Sequence, residues 1–187
     1  QAVGWIDLDV KKLGVDALSI SGHKFGAPKG SGVLVLRAGA KAEPLIHGGG
    51  QESGLRSGTE NVAWAVAIAT ALELLAPVDE EARRVARLRD GFIQKVQQLV
   101  PNAKLTGHQI NRSPNISSFT LQGVSGEAVL LELERKNVIV SSGSACAAGS
   151  DEPSHVLVAI GVAPEIAQTS IRFSLAHETT ADQLDTA

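Results

Sequence analysis

Two short β-like runs lie near the start of the chain, and a long helical pattern follows them. Apolar and polar residues alternate over residues 16–21, and residues 32–36 are almost wholly apolar, which predicts two strands. The glycine-rich stretch 26–32 between them predicts a loop. An alanine-rich pattern over residues 60–75 predicts a helix with Thr59 at its N-cap. Because alanine lies on most faces of this helix, we expect it to be packed on several sides.

A second helical pattern follows the break at Pro77 and runs through residue 100. Its first turn carries two glutamates directly after Asp79, which we expect to be the N-cap. Apolar residues recur at helical spacing along one face: Val85, Leu88, Phe92, Val96 and Leu99. Charged residues fall mostly off this stripe and indicate a solvated face: Arg83, Arg84, Arg87, Arg89 and Asp90.

Strands and helices alternate in the last part of the chain. The patterns predict strands over residues 104–106, 116–121, 138–141 and 169–175. They predict helices over residues 126–135 and 154–160 and from about residue 181. The resulting fold class is α/β, with a small sheet covered by helices in a second domain. We place the domain boundary at Pro101, so that residues 1–100 form one domain and residues 101–187 form the other.

Composition narrows the class of protein further. The chain has 187 residues, is 43% hydrophobic and 20% charged, and can therefore bury a sizeable core. Its net charge of −3 argues against a nucleic-acid partner, and no apolar run is long enough to cross a membrane. A single cysteine excludes an intrachain disulfide and fits a cytoplasmic protein. The histidines lack the spacing of metal ligands, so no metal site is predicted.

The Ser-Gly-His-Lys motif at residues 21–24 directly follows the first predicted strand. A lysine at that place suits covalent binding of pyridoxal phosphate as a Schiff base. Ser21 and Gly22 leave room for a phosphate and a ring, and His23 can donate a hydrogen bond or move a proton. Taken by itself, Lys24 is better interpreted as an ordinary surface lysine just past a strand. The choice between this interpretation and a cofactor lysine therefore depends on other parts of the chain.

Three further stretches carry candidate chemistry. Residues 48–59 are rich in glycine and end in hydroxyl groups before a helix, which suits an anion and equally a flexible connector. Cys146 lies among small residues, which fits a nucleophile on a loop as well as a small buried thiol. Arg172 lies within a β-like segment, where a buried guanidinium needs a carboxylate from the protein or from a substrate.

Taken together, these stretches resemble the NifS/IscS-like cysteine desulfurases, which use pyridoxal phosphate and belong to the class V aminotransferases. The matching segments follow the family's order and span almost the whole chain: residues 16–32, 47–61, 141–161 and 170–174. The resemblance implies a fold-type I homodimer, with a large cofactor-binding domain followed by a small α/β C-terminal domain. It also implies that the family's N-terminal half is absent from this chain. We therefore expect the chain by itself to bind pyridoxal phosphate poorly and to be inactive.

The resemblance assigns five residues to the cofactor. Lys24 matches the lysine that binds pyridoxal phosphate, and Ser21 matches a residue that binds its phosphate group. His23 matches a second phosphate-binding residue, for which a catalytic role in proton transfer is also expected. Gln1 falls at the family's glutamine that hydrogen-bonds the phenolic oxygen. Thr59 matches a residue that reaches the phosphate in the partner subunit's site.

Two further matches concern L-cysteine, the substrate that the resemblance implies. Cys146 matches the cysteine that takes the substrate's sulfur as a persulfide, and Arg172 matches the arginine that binds the substrate carboxylate. The implied reaction yields L-alanine and passes sulfur to an acceptor or scaffold protein, for iron–sulfur clusters or thiolation. Two alternatives stay open. One is another fold-type I enzyme, a selenocysteine lyase or an aminotransferase, and the other is a non-catalytic module that binds sulfur acceptors.

Overall fold

The computed structural model describes residues 1–142 and 152–187, and it divides into two compact units. The first unit is Gln1–Asp79 and the second is Glu80–Ala187. The α/β class predicted from the sequence is confirmed, because each unit combines a β-sheet with helices. The two units divide near the start of a long helix, whereas the sequence places a domain boundary at residue 100. That boundary stays a prediction about the intact protein.

The first unit is a two-stranded antiparallel sheet with two helices. Strands β1 (Ala17–Ser21) and β2 (Gly32–Leu36) pair over their full length, so both predicted strands are confirmed. Helix α1 is Val10–Leu13 and helix α2 is Val62–Glu73. The buried core of the unit is small: Val3, Phe25, Ala27 and Ile68.

Helix α2 differs from its prediction at the cap and in its packing. Asn61, not Thr59, caps the helix, because the Asn61 side chain accepts the N–H of Trp64 at 3.1 Å. Ile68 is the only buried residue of the helix, whereas Val62 is 68% exposed. The expectation of packing on several sides is wrong within this unit, since only one face of α2 meets the core.

The second unit is a four-stranded antiparallel sheet with helices. In chain order its elements are α3 (Val78–Leu99), β3 (Ala103–Leu105), β4 (Ile116–Leu121), α4 (Gly126–Arg135), β5 (Ser141–Ser142), α5 (His155–Ala159), α6 (Pro164–Ala167), β6 (Ser170–Ser174) and α7 (Ala181–Thr186). The strands lie in the order β3-β4-β6-β5. Three aromatic rings from α3, β4 and β6 make edge-to-face contacts, with centroids 4.9 to 6.3 Å apart: Phe92, Phe119 and Phe173.

The predicted bounds of several elements in this unit are corrected. Helix α3 begins at Val78, so Asp79 lies inside the helix and is not its cap. The strand predicted over residues 138–141 is the two-residue β5. Helix α6 is absent from the prediction; its proline lies at the first turn, where a missing N–H costs no hydrogen bond. The apolar stripe of α3 also ends early, because Leu99 is 79% exposed.

The charged residues of α3 do not form one solvated face. Arg89 is 6% exposed, and its guanidinium donates to Asp90 and, at 2.7 Å, to the carbonyl of Ser113. A buried guanidinium is tolerated there because its N–H groups find a carboxylate and a carbonyl. The prediction that all these charges face solvent is therefore wrong for Arg89.

Glu81 ties the segment before α7 to α3. Its carboxylate accepts hydrogen bonds from Arg84 at 2.8 and 2.9 Å and lies 3.0 Å from Nδ1 of His177. Arg84 also donates to the backbone carbonyls of His177 and Thr179. The hydrogen bonds from Arg84 are the largest cause that lowers the pKa of Glu81 from 4.5 to about 2. The charged carboxylate of Glu81 thus helps to hold the segment before α7 against α3.

Replacing Glu81 by glutamine is expected to speed amide exchange in residues 176–186 about tenfold at neutral pH, a loss of about 1.4 kcal/mol. Because the folded-state pKa is lowered, the ionic contribution is complete above pH 4.5 and disappears as the pH falls through about 2. The ratio of variant to wild-type exchange should therefore approach one over that range. Hydrogen exchange followed by mass spectrometry measures it.

The exposed neighbour Glu80 provides the control for this prediction. Glu80→Gln should leave exchange in residues 176–186 unchanged at every pH. An exchange ratio for Glu81→Gln that stays constant as the solution is acidified would contradict an ionic role for this carboxylate.

Neither a single membrane span nor a metal-binding cluster is found in residues 1–142 and 152–187. No one helix there is both long and apolar enough to cross a membrane; α2 and α3 satisfy that criterion only as a bent pair. No group of three or more His, Cys, Asp or Glu side chains in the same residues is placed to hold a metal ion.

Candidate functional site

The turn after β1 places the Ser-Gly-His-Lys motif at the end of a strand, as the sequence predicts. β1 ends at Ser21, and Gly22–Lys24 forms a single 3₁₀ turn. The carbonyl of Gly22 accepts the N–H of Phe25 at 3.1 Å. Phe25 is buried in the core of the unit, so the backbone that follows Lys24 is anchored. The turn is held by its backbone and its apolar neighbours.

Gly22 is needed at the base of the loop that runs on to β2. Its N–H donates to the carbonyl of Ser31 at 2.9 Å. A Cβ at position 22 would lie 2.3 Å from Oγ of Ser31 and 3.0 Å from Cβ of Ala27. A larger residue therefore does not fit unless the loop moves. Gly22 and Ser31 close the base of the loop, and Lys24 lies near one end of it.

The polar side chains of the motif are all exposed: Ser21, His23 and Lys24. Ser21 precedes the 3₁₀ turn, but its hydroxyl makes no capping hydrogen bond to it. A primary amine, an imidazole and a hydroxyl are thus exposed within four successive residues, at a turn with glycine at its base. This set of groups fits pyridoxal phosphate, because the amine can bond to an aldehyde carbon and the other two groups can donate to a phosphate.

The glycine-rich segment is a closed loop and not an extended connector. The Ser57 hydroxyl donates to the carbonyl of Ile46 at 3.1 Å, and the N–H of Gly58 donates to Oε1 of Gln51 at 3.2 Å. Within the loop, Glu52 has a left-handed φ of 50°. A non-glycine residue keeps such a conformation only where its surroundings impose it. The loop therefore has a defined shape just before α2.

Gln1 and Thr59, the other residues assigned to the cofactor, lie in the same unit as Lys24. Both side chains are exposed, and Thr59 comes two residues before Asn61, the cap of α2. Hydrogen bonds among the described residues do not join either of them to the Ser-Gly-His-Lys motif. Their roles at the cofactor stay predictions.

Arg172 lies in the middle of β6, in the sheet of the second unit. Its neighbours across the sheet are Ser118 of β4 and Ser141 of β5. Its Nε atom is buried and has no hydrogen-bond partner among the described residues. Leaving a buried N–H without an acceptor costs about 1–3 kcal/mol. A carboxylate from outside the chain would remove that cost, which fits the role predicted for Arg172.

The predicted site residues belong to different units of the chain. Lys24 belongs to the first unit and Arg172 to the second. Cys146, the predicted nucleophile, lies outside the described residues. Each of these assignments therefore rests on its own local environment.

Two contacts in the structure were not anticipated from the sequence. Trp64 contacts the loop that follows Lys24, and its place four residues before the buried Ile68 is a sequence signal that could have identified it. His177, to which no role was given, contacts Glu81. Glu81 and His177 are 96 positions apart, and no sequence period connects them.

Proteins of known family match almost the whole length of this chain. The model of the aminotransferase class-V family matches residues 1–186. A protein named cysteine desulfurase IscS from Dictyoglomus turgidum is 49% identical over 99% of this chain and 47% of its own length. A protein of the same name from Methanosarcina thermophila is 45% identical over 99% of this chain and 46% of its own length. The chain thus spans about half the length of the curated relatives it matches.

Solved structures agree with this similarity. A NifS-like protein superposes with a TM-score of 0.85 at 36% identity, covering 99% of this chain and 47% of that protein. The NifS-like protein from Rickettsia africae gives a TM-score of 0.83 at 33% identity, covering 100% of this chain and 49% of its own. The fold of the chain is therefore that of the corresponding half of NifS-like proteins.

Proposed function

Because the chain belongs to the aminotransferase class-V family, we propose that the intact protein is a cysteine desulfurase that converts L-cysteine to L-alanine. The relatives that bear that name support the proposal. The structural observation that carries it is the buried Nε of Arg172, which lacks a hydrogen-bond partner among the described residues. An amino-acid substrate supplies the carboxylate acceptor that this nitrogen lacks.

Pyridoxal phosphate is the cofactor that fits the turn after β1. Lys24 is its covalent attachment point, because an exposed amine at the end of an anchored turn can reach an aldehyde. When bound, pyridoxal phosphate supplies a ring that withdraws electrons from the α-carbon of the substrate. Four other residues complete the proposed contacts: Ser21 and His23 at the phosphate, Gln1 at the phenolic oxygen, and Thr59 at the phosphate of the partner subunit's site.

The chain's own residues perform the remaining steps. Arg172 binds the substrate carboxylate and so orients the α-carbon. The amine of Lys24, once the substrate has displaced it from the cofactor, would move a proton at that carbon, with His23 close by in sequence as a second proton carrier. The thiolate of Cys146 attacks the sulfur of L-cysteine, so that a C–S bond breaks and an S–S bond forms. The electron pair of the broken C–S bond stays with the β-carbon, which takes up a proton to become the methyl group of L-alanine. The products are L-alanine and a persulfide on Cys146.

The proposal extends to the partners of the intact protein. The persulfide on Cys146 needs an acceptor, and we propose a sulfur-acceptor or scaffold protein of iron–sulfur cluster assembly or thiolation. A homodimer follows from the role assigned to Thr59, which acts in the partner subunit's site. A cytoplasmic location and the inactivity of the 187-residue chain by itself remain predictions.

Replacing Cys146 by alanine in the full-length protein is expected to lower alanine formation from L-cysteine at least about 1,000-fold, because the nucleophile is gone. In the wild-type protein, a single turnover without acceptor should add one sulfur atom to the peptide that contains Cys146. Amino-acid analysis measures the alanine, and peptide mass spectrometry measures the added sulfur.

Ser144→Ala is the matched control, because it changes a neighbour of Cys146 and keeps the thiol. It should retain both the rate and the added sulfur. Release of alanine and sulfide by Cys146→Ala at a rate within about tenfold of the wild type would remove the desulfurase proposal. That outcome would favour another enzyme of the same fold.

A further inference from the structure

Trp64 lies against the loop that joins the Lys24 turn to β2. A Cβ placed on Gly30 would lie 2.8 Å from Cη2 and 2.9 Å from Cζ3 of the Trp64 ring. The six-membered ring of the indole therefore occupies the space beside the Gly30 backbone. Gly30 also has a left-handed φ of 84°, which glycine adopts without strain. Both its lack of a side chain and its backbone conformation suit this close contact.

Helix α2 holds the same loop at a second point. Ile68 follows Trp64 by four residues and lies on the same helical face. It is buried in one cluster with Phe25 and Ala27, the two core residues of the loop. Trp64 itself is 40% exposed, so it is not a core residue of the unit. Helix α2 therefore contacts the loop through the buried Ile68 and, at the edge of that contact, through the partly exposed Trp64.

The contact at Gly30 is linked to Lys24 through the backbone. Ser31, the next residue, accepts the N–H of Gly22 at 2.9 Å. Gly22 begins the 3₁₀ turn that ends at Lys24. Because the side chain of Lys24 is exposed, the position of its amine depends mainly on the backbone of this turn.

We propose that Trp64 is a positioning residue for Lys24. Its ring on Gly30 holds residues 25–31 closed, and this closure sets the position of the Lys24 amine relative to the cofactor aldehyde. The inference rests on the proposed function, since it assigns Trp64 a task in cofactor attachment. It adds to that function a residue from α2, an element to which no part of the chemistry had been assigned.

The first test measures the loop in the full-length protein without added cofactor. Trp64→Ala is expected to speed amide exchange in residues 25–31 about tenfold, because the ring over Gly30 is removed. Trp64→Phe keeps an aromatic ring there and should restore at least half of the lost protection. Val66→Ala is the control, since Val66 lies on another face of α2 and is 59% exposed. Wild-type exchange in Trp64→Ala would overturn the inference.

The second test measures attachment of pyridoxal phosphate to Lys24. After borohydride reduction, mass spectrometry records the rate at which a pyridoxyl adduct forms on the Lys24 peptide. We expect this rate to fall about tenfold in Trp64→Ala and to recover in Trp64→Phe, with each variant compared at equal folded fraction. If Trp64 only stabilised the fold, the rate of adduct formation per folded molecule would be unchanged in Trp64→Ala. That result would overturn the inference.

A double-substitution cycle isolates the contact itself. Gly30→Ala introduces backbone strain and a collision with the ring, whereas in Trp64→Ala only the strain remains. We therefore expect Gly30→Ala to slow adduct formation at least about threefold more in the wild type than in Trp64→Ala. Equal effects in both backgrounds would overturn the inference and leave the proposed function standing. Absence of any adduct on Lys24 in the wild type would overturn the proposed function, and the inference with it.

Discussion

Replacing Lys24 by alanine in the full-length protein is expected to reduce alanine formation from L-cysteine at least about 1,000-fold. The substitution removes both the attachment point for pyridoxal phosphate and the amine that moves a proton at the α-carbon. Structural damage should be small, because the side chain of Lys24 is exposed and backbone hydrogen bonds of Gly22 hold the turn. The steady-state rate measures the loss of chemistry, and the mass of the borohydride-reduced protein measures the loss of covalent cofactor.

Lys29 supplies the matched control for this prediction. It is a second exposed lysine of the same loop, five residues further along the chain. Lys29→Ala should keep the rate within about threefold of the wild type, with the cofactor adduct still on Lys24. A Lys24→Ala protein that retained more than about a tenth of the rate, or a wild-type adduct on another lysine, would falsify the assignment.

Replacing Arg172 by lysine is expected to lower kcat/KM for L-cysteine about 100-fold, mainly by raising KM. Lysine keeps the positive charge but lacks Nε and the planar fork that binds both oxygens of a carboxylate. The buried Nε has no partner among the described residues, so its removal breaks no described hydrogen bond of the sheet. The fold should therefore survive, and kinetics at varied L-cysteine concentration measure the effect.

Carboxylate recognition can be separated from general damage at Arg172. The wild-type protein should be inhibited more strongly by L-alanine than by L-alaninamide, in which a neutral amide replaces the carboxylate. Arg172→Lys should lose most of that preference, whereas Arg135→Lys, at an exposed arginine of α4, should keep it. An Arg172→Lys protein with wild-type KM and an unchanged preference for L-alanine would show that the carboxylate binds elsewhere.

Local sequence patterns were sufficient for the elements around the Lys24 turn. β1 and β2 match the predicted residues 16–21 and 32–36 to within one residue, because alternation and a glycine-rich loop depend on near neighbours. The start of α2 was harder to predict, since Thr59 and Asn61 both have side chains that can cap a helix. In the structure Asn61 is the cap, since its side chain accepts the N–H of Trp64.

The packing of the helices was predicted less well than their positions. The alanine-rich sequence of α2 suggested burial on several sides, but a helix is buried only where other elements lie against it, and Ile68 marks the one such face in this unit. In α3, the position of Arg89 off the apolar stripe suggested that its side chain is exposed to solvent. A carbonyl at Ser113 and the carboxylate of Asp90 made its burial possible instead.

The sequence by itself determined the α/β class, the strand–turn–strand around the proposed cofactor lysine and the membership of the family, since these require only local patterns and an ordered series of motifs. Only the tertiary structure decided which distant groups meet. It paired Glu81 with His177, placed the ring of Trp64 on Gly30 and left the Nε of Arg172 buried without a described partner. The physical reason is that burial and side-chain contact arise from the packing of elements far apart in sequence, which no local period encodes.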